Sequence, residues 1–264
     1  MAFEQLKKFQ ASMWGSGPFE EIEVNLADMH DAIVASTDPQ PGETWLDLGC
    51  GTGGVAGRAA AAGAKVTGVD LAPALIDTAR RRAEDAGLDI AYEVGDAENL
   101  RFDDRAFTTI SSSVGVMFAP RQQLVANELA RVCVPGGRLC LTAWTPAGGI
   151  GDFFKFMRQY QPPPPEGVGN PLDWGGKESA TALLGDSFDL EFEELDSPLV
   201  LESGDAFWDL MSRAFGPMRV LTESMDEEAR DEFRRAFIEF TERDRDGEVI
   251  RQSRPYLLIK GHRH

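Results

Sequence analysis

The stretch that most restricts what this chain can fold into is Thr44-Trp45-Leu46-Asp47-Leu48-Gly49-Cys50-Gly51-Thr52-Gly53-Gly54. A short apolar run gives way to closely spaced glycines, and an Ala-rich segment at residues 55–62 follows. This spacing predicts a buried strand feeding a tight turn that feeds a helix. Glycines in such a turn let the backbone bend and let a ligand approach it closely. The same alternation continues downstream. Residues 65–69, 90–94, 106–114 and 138–144 read as strands, with helices at 73–86 and 121–132 and a turn at Pro135-Gly136-Gly137. Strands alternating with helices predict a mostly parallel sheet covered by helices on both faces, centred on residues 40–145. A helix over 20–36 precedes it, with Ile22, Leu26, Met29, Ile33 and Val34 on one face.

Past Trp144 the character changes. Residues 146–151 and 162–176 are rich in Gly and Pro, including the run Pro162–Pro165, which excludes regular helix and central strand there. Helices are expected at 204–215 and 226–241, and strands at 188–195 and 254–260 that complete the sheet. The chain thus divides into residues 1–145, with N-terminal helices and the sheet core, and 146–264, a helical cap with the closing strands. The aromatic stretch Phe153, Phe154, Phe156, Met157 and Tyr160 reads equally well as core or as the wall of a pocket.

Composition excludes several partners. The 264 residues carry 26 Lys plus Arg against 44 Asp plus Glu, a formal charge of −18. Such a chain repels a phosphate backbone, so no nucleic-acid partner is expected. Arg80, Arg81 and Arg82 sit among acids and read as a solvated helix face. Anionic membrane surfaces are disfavoured for the same reason, and no apolar run is long enough to span a bilayer. The start MAFEQLKKFQ lacks an apolar signal core, which predicts a cytoplasmic location. Cys50, Cys133 and Cys140 lie in apolar or Gly-rich contexts and read as buried thiols. Three histidines without Cys-x-x-Cys or His-x-x-x-His spacing spell out no metal site.

Gly49, Gly51 and Gly54 satisfy G-x-G-x-x-G, and Asp70 follows about twenty residues after the loop. That pattern alone admits a nicotinamide-dependent oxidoreductase. Three acids favour another ligand. Asp47, at the strand's end, would repel a pyrophosphate. Asp70, closing the second strand (VTGVD), is placed to accept both hydroxyls of an adenosine ribose. Asp96, in Gly95-Asp96-Ala97 at the end of the third strand, is placed to accept from the amino group of adenine. A ligand with adenine, ribose, a cationic centre and no phosphate is S-adenosylmethionine.

WLDLGCGTGG, VTGVDLAP, YEVGDAENLRF and LARVCVPGGRLCLTAW, in that order, resemble the class I S-adenosylmethionine-dependent methyltransferases, nearest to the branch with ubiquinone and menaquinone methyltransferases and many small-molecule enzymes. The resemblance covers residues 14–145 well and the remainder in outline. It implies an α/β, doubly wound, Rossmann-like seven-stranded sheet, mostly parallel with the last strand (254–260) antiparallel, plus a helical cap insertion. It implies S-adenosyl-L-methionine as cofactor, S-adenosyl-L-homocysteine as product, and methyl transfer to an O, N, S or C atom of a small, partly apolar molecule. A cofactor-binding protein with a non-methylating activity remains the alternative, ahead of the oxidoreductase.

Carried over by position, Gly49 and Gly51 would face the methionine part, with Asp47 shaping that site. Asp70 would bind the ribose, Leu71 would pack at adenine, and Asp96 and Ala97 would hold the adenine edge. Ser113 would line the floor near the sulfonium. Trp14, in Trp14-Gly15-Ser16-Gly17-Pro18-Phe19, would help cover the cofactor. His30, on the helix over the cofactor, is the candidate general base. The chain departs from the family in having Thr108 after Phe107, where an acid is usual.

Overall fold

The computed structural model describes residues 2–264. The chain opens with α1 (Ala2–Trp14). Next come α2 (Glu20–Glu23), a 3-10 turn at Val24–Leu26 and α3 (Ala27–Thr37). Residues 20–36 are therefore broken, not one continuous helix. The break frees the Asn25 carbonyl, which accepts from the buried Arg254 guanidinium at 2.7 Å.

The core runs β1 (Thr44–Leu48), α4 (Gly54–Ala61), β2 (Lys65–Asp70), α5 (Pro73–Asp85), β3 (Ile90–Val94), β4 (Phe107–Ser113), α6 (Gln122–Val132) and β5 (Cys133–Trp144). The expected turn at Pro135–Gly137 is absorbed within β5, where the register to β4 shifts between Phe107 and Thr109. After Asp96 the chain makes a turn, closed by a bridge between Asp96 and Asn99.

The second half contains α7 (Gly148–Met157), a 3-10 turn at Pro171–Gly175, α8 (Lys177–Leu184), β6 (Phe188–Asp196), β7 (Leu199–Leu201), α9 (Gly204–Ala214), α10 (Gly216–Glu223), α11 (Glu227–Glu242), β8 (Arg245–Asp246), β9 (Val249–Gln252) and β10 (Pro255–Arg263). Two helices were expected between 204 and 241, and three form. Phe215 leaves helical geometry at ψ 103°, and Pro217 sits in the first turn of the next helix. The small sheet β7-β9-β8 was not anticipated.

The main sheet has seven strands in the order β3-β2-β1-β4-β5-β10-β6. Neighbours run parallel from β3 to β5, and β10 is antiparallel to both β5 and β6. The order reverses at β1, whose chain neighbours β2 and β3 lie on one side and β4 and β5 on the other. Ligands of open α/β sheets bind outside the carboxyl ends of the strands at such a reversal. Here that places the crevice beyond Leu48 and Ser113. β1 is central, so Trp45 and Leu46 are fully buried.

Two apolar clusters result. One fills the sheet and its helices and includes Trp174. The other is the cap's own core, built from Phe156, Met157, Trp208, Phe233, Phe237 and Phe240 among others. Phe156 and Met157 are thereby core residues, while Phe153, Phe154 and Tyr160 stay partly exposed. Asp226 caps α11 by accepting the Ala229 N–H at 2.9 Å. The three cysteines are buried and unpaired, and burial pushes the Cys140 thiol up to about 12. Among the described residues no helix is long and apolar enough to cross a membrane.

Candidate cofactor site

The N-terminus of α4 sets the geometry. Its N-cap is Gly53, at φ +90°, which has no side chain to satisfy the first N–H groups of the helix. Two distant carboxylates do so instead. Glu23 Oε1 accepts the Gly54 N–H at 3.1 Å, and Asp47 Oδ2 accepts the Ala56 N–H at 3.1 Å. Negative charge is favoured there by the helix dipole. The other Asp47 oxygen accepts from Ser111 Oγ at 2.8 Å, and Ser111 accepts from Trp45 Nε1 at 2.8 Å. Asp47 is 1% exposed. Burial, with Glu23 and Asp70 nearby, pushes its carboxyl up to about 7. Asp47 thus holds the loop from below, with both oxygens committed to protein donors.

The glycine loop lies on a second glycine. Gly49 has φ +64°, and a Cβ there would come within 2.8 Å of Gly115 Cα. A Cβ on Gly115 would lie 2.6 Å from the Gly49 carbonyl oxygen. The loop after β1 and the turn after β4 therefore touch backbone to backbone. Val114 enters this turn at φ +50°, a conformation strained for a β-branched residue. Ser113, just before it, is half-buried beside Thr142, its Oγ 3.3 Å from Thr142 Oγ1.

Asp70 joins the loop to β2. Its Oδ2 accepts the Gly51 N–H and its Oδ1 the Ala72 N–H, each at 2.9 Å. It remains partly exposed, and burial raises its carboxyl above the ordinary range. Leu71 beside it is also half-buried. The Gly95 N–H donates to the Asp70 carbonyl at 2.9 Å, bringing the Asp96-Ala97 turn alongside. Asp96 Oδ1 accepts the Glu98 N–H at 2.9 Å, and Oδ2 accepts from Lys7 Nζ at 2.6 Å. Ala97 is half-buried in the same turn.

Residues 14–19 lie over this edge. The Phe19 ring is the nearest side chain to Gly51, 3.7 Å from where a Cβ would be. Trp14 packs edge-on against Phe19, Phe118 and Phe215, with centroids 5.9, 4.8 and 5.5 Å away. Phe118 stacks on Phe154 at 6.3 Å. An aromatic roof thus spans from the glycine loop to the cap.

The structure gathers Gly49, Gly51, Asp70, Asp96, Ala97, Ser113 and Trp14 at the carboxyl edge. His30 stands apart. Its ring packs against Gly54, where it leaves no room for a Cβ. It is 4% exposed, and burial lowers its pKa to about 4. A base that weak is poorly matched to deprotonating an acceptor near neutral pH. Arg82 keeps its expected place on an exposed helix face, its side chain 46% exposed, yet it is also paired. It pairs with Glu23 and donates to Thr52 O and Oγ1 at 2.8 Å. Glu23, Arg82, Lys7 and the Val114-Gly115 turn are the residues that pattern reading missed. Only the last had a local signal, a glycine directly after a β-branched strand end.

The donor set discriminates between ligands. A dinucleotide would bring its pyrophosphate to a helix N-terminus with free N–H groups. In this protein Glu23 and Asp47 already occupy that position. The nearby cations Lys7 and Arg82 are both committed to carboxylates. What remains is an acidic crevice with the partly exposed Asp70 carboxylate at the end of β2, which fits a phosphate-free, positively charged adenosyl compound. Among the described residues no cluster of side chains could hold a metal ion. Of two surface cavities, one of about 300 Å³ is bordered by Gly15, Gly17 and Pro18 of the covering segment and one of about 680 Å³ lies between α7 and α11; neither is lined by the glycine loop, Asp70 or Asp96.

Residues 46–137 match the family described as methyltransferase domain. An uncharacterized protein of Mycobacterium tuberculosis is 39% identical over 175 residues, which is 66% of this chain and 64% of that protein's length. The ubiquinone/menaquinone biosynthesis C-methyltransferase of Rubrivivax gelatinosus is 37% identical over 126 residues, 47% of this chain and 49% of the relative. A geranyl diphosphate methyltransferase solved in complex with SAM matches 90% of this chain and 85% of its own, with a TM-score of 0.56 at 20% identity, a likeness of fold. With the strand order, the antiparallel β10 and the glycine loop, these findings support a class I S-adenosylmethionine-dependent methyltransferase.

Proposed function

We propose that this protein transfers the methyl group of S-adenosylmethionine to a small, partly apolar molecule and releases S-adenosylhomocysteine. The observation that carries the reading is the acid-capped glycine loop beside Asp70. Glu23 and Asp47 close the helix terminus to phosphate, while Asp70 stands at the strand reversal. Asp70 would hold the ribose hydroxyls, Leu71, Asp96 and Ala97 the adenine, and the backbone of Gly49 and Gly51 the methionine part. When bound, the cofactor supplies a methyl carbon already activated by its sulfonium.

The protein's own task is then to orient the acceptor and exclude water. Positioning of this kind contributes about 7–11 kcal/mol to lowering a barrier. Trp14, Phe118, Phe153, Phe154 and Phe215 supply apolar walls for it, and Ser113 a polar point on the floor. No base is required for an acceptor whose attacking atom is already deprotonated or carries no proton; a phenol or an ammonium would need one. The charge of −18 favours a diffusible acceptor over nucleic acid.

Thermal melting with S-adenosylhomocysteine against NAD tests the cofactor. At a hundredfold excess over its dissociation constant a ligand adds about 2.7 kcal/mol, which shifts the midpoint of a chain this size by roughly 5–10 °C. A shift with NAD and none with S-adenosylhomocysteine overturns the proposal. Formation of S-adenosylhomocysteine from S-adenosylmethionine in the presence of candidate acceptors, with the methyl group traced into product, separates methyl transfer from a non-methylating use of the cofactor.

A further inference from the structure

Lys7 is a buried cation on a helix that sequence patterning had not tied to the site. It is 5% exposed. Its ammonium lies 2.6 Å from Asp96 Oδ2 and 2.6 Å from Glu98 Oε2. Glu98 is itself fully buried in its side chain and is held by Arg121 at 2.6 Å. Two cations and two carboxylates therefore form a network at the end of β3, with the exposed Glu4 a further 3.6 Å partner of Lys7, and one of its members is the acid at adenine height.

Asp96 has two other constraints. Oδ1 accepts the N–H of Glu98, two residues on, which fixes the carboxylate to its own turn. Oδ2 is fixed only by Lys7. A carboxylate oxygen has room for two hydrogen bonds. With Lys7 on one side, Oδ2 keeps a single direction for a second donor. Without Lys7, Asp96 would sit beside the buried Glu98 with no cation of its own, and mutual repulsion would turn it outward. The same helix ends in Trp14, so the helix that sets Asp96 also carries the cover.

Building on the proposed adenosyl site, we propose that Lys7 is a positioning residue for purine recognition. It holds Asp96 in the one orientation that accepts an exocyclic amino group and rejects a carbonyl in the same place. Lys7 does not touch the reacting atoms.

The test measures dissociation constants of S-adenosylhomocysteine and S-inosylhomocysteine, which differ at that position, by calorimetry. The wild-type protein, Lys7→Met and Lys7→Arg are compared. The expected result is tight, adenine-selective binding by the wild type. Lys7→Met should weaken S-adenosylhomocysteine about tenfold, as befits one charge-assisted hydrogen bond, with little change for the inosyl compound. Selectivity then falls about tenfold, and Lys7→Arg restores most of it. Equal weakening of both ligands, or no change in either, overturns the role of Lys7. Failure of the wild type to bind S-adenosylhomocysteine at all instead overturns the cofactor assignment. If Lys7→Met does not fold, Lys7→Gln, which keeps a donor without the charge, gives the same comparison.

Discussion

Replacing Asp47 by Asn should make the protein more stable at alkaline pH and leave it nearly unchanged at acid pH. Asp47 is buried, accepts one backbone N–H and one hydroxyl, and has its carboxyl pushed up to about 7. In the unfolded chain an aspartate titrates near 3.9. Between these values the native state binds a proton that the unfolded state does not, so stability falls as pH rises through that window. Three pH units at 1.36 kcal/mol each correspond to a loss on the order of 4 kcal/mol between pH 4 and pH 7. Asparagine is isosteric with the protonated acid. Its carbonyl can still accept the Ala56 N–H, and its amide can donate to Ser111 Oγ. Urea unfolding of both proteins from pH 4.5 to pH 8.5 should give curves that nearly coincide at the acid end and diverge in favour of Asp47→Asn by several kcal/mol above pH 7. The difference between the proteins removes the background of the other acids. Parallel curves would show that Asp47 is ionised throughout and that burial does not govern it.

Three further outcomes follow from the same geometry. Asp70→Ala should raise the dissociation constant of S-adenosylhomocysteine at least about a hundredfold, since it removes a carboxylate able to make two charged hydrogen bonds, while circular dichroism stays native; unchanged binding removes Asp70 from the site. Gly115→Ala should cost about 1–3 kcal/mol in urea unfolding and weaken cofactor binding, because its Cβ would meet the Gly49 carbonyl at 2.6 Å; a silent substitution would mean that the two turns are not packed as described. His30→Gln should leave the pH profile of methyl transfer unchanged, because the His30 pKa is already lowered to about 4; loss of a limb near pH 6–7 would restore His30 as the base.

How much of this was legible in advance depended on sequence distance. β1 to β5 were readable because each is a short apolar run bounded by turn residues. The glycine loop was readable because positive φ at Gly49, Gly51 and Gly53 demands that residue type. The cap was less so. β8 has two residues and β7 three, too few to show a period, and α10 spans only eight residues with a proline in its first turn. Arg82 and Lys7 were opaque for another reason. A charged residue on an amphipathic helix shows the same pattern whether it faces water or a distant carboxylate.

The order of strands and helices, the bend after Leu48 and the acid closing β2 are dictated by neighbours in the chain, so the sequence alone determined them. Tertiary structure decided which way the charges point. Glu23 reaches Gly54 across 31 residues and Lys7 reaches Asp96 across 89. Folding alone sets the desolvation and pairing that turned Asp47 inward, buried His30 and lowered its pKa, and placed two carboxylates at the α4 terminus, because electrostatic energy depends on distance and burial in space and not on position along the chain.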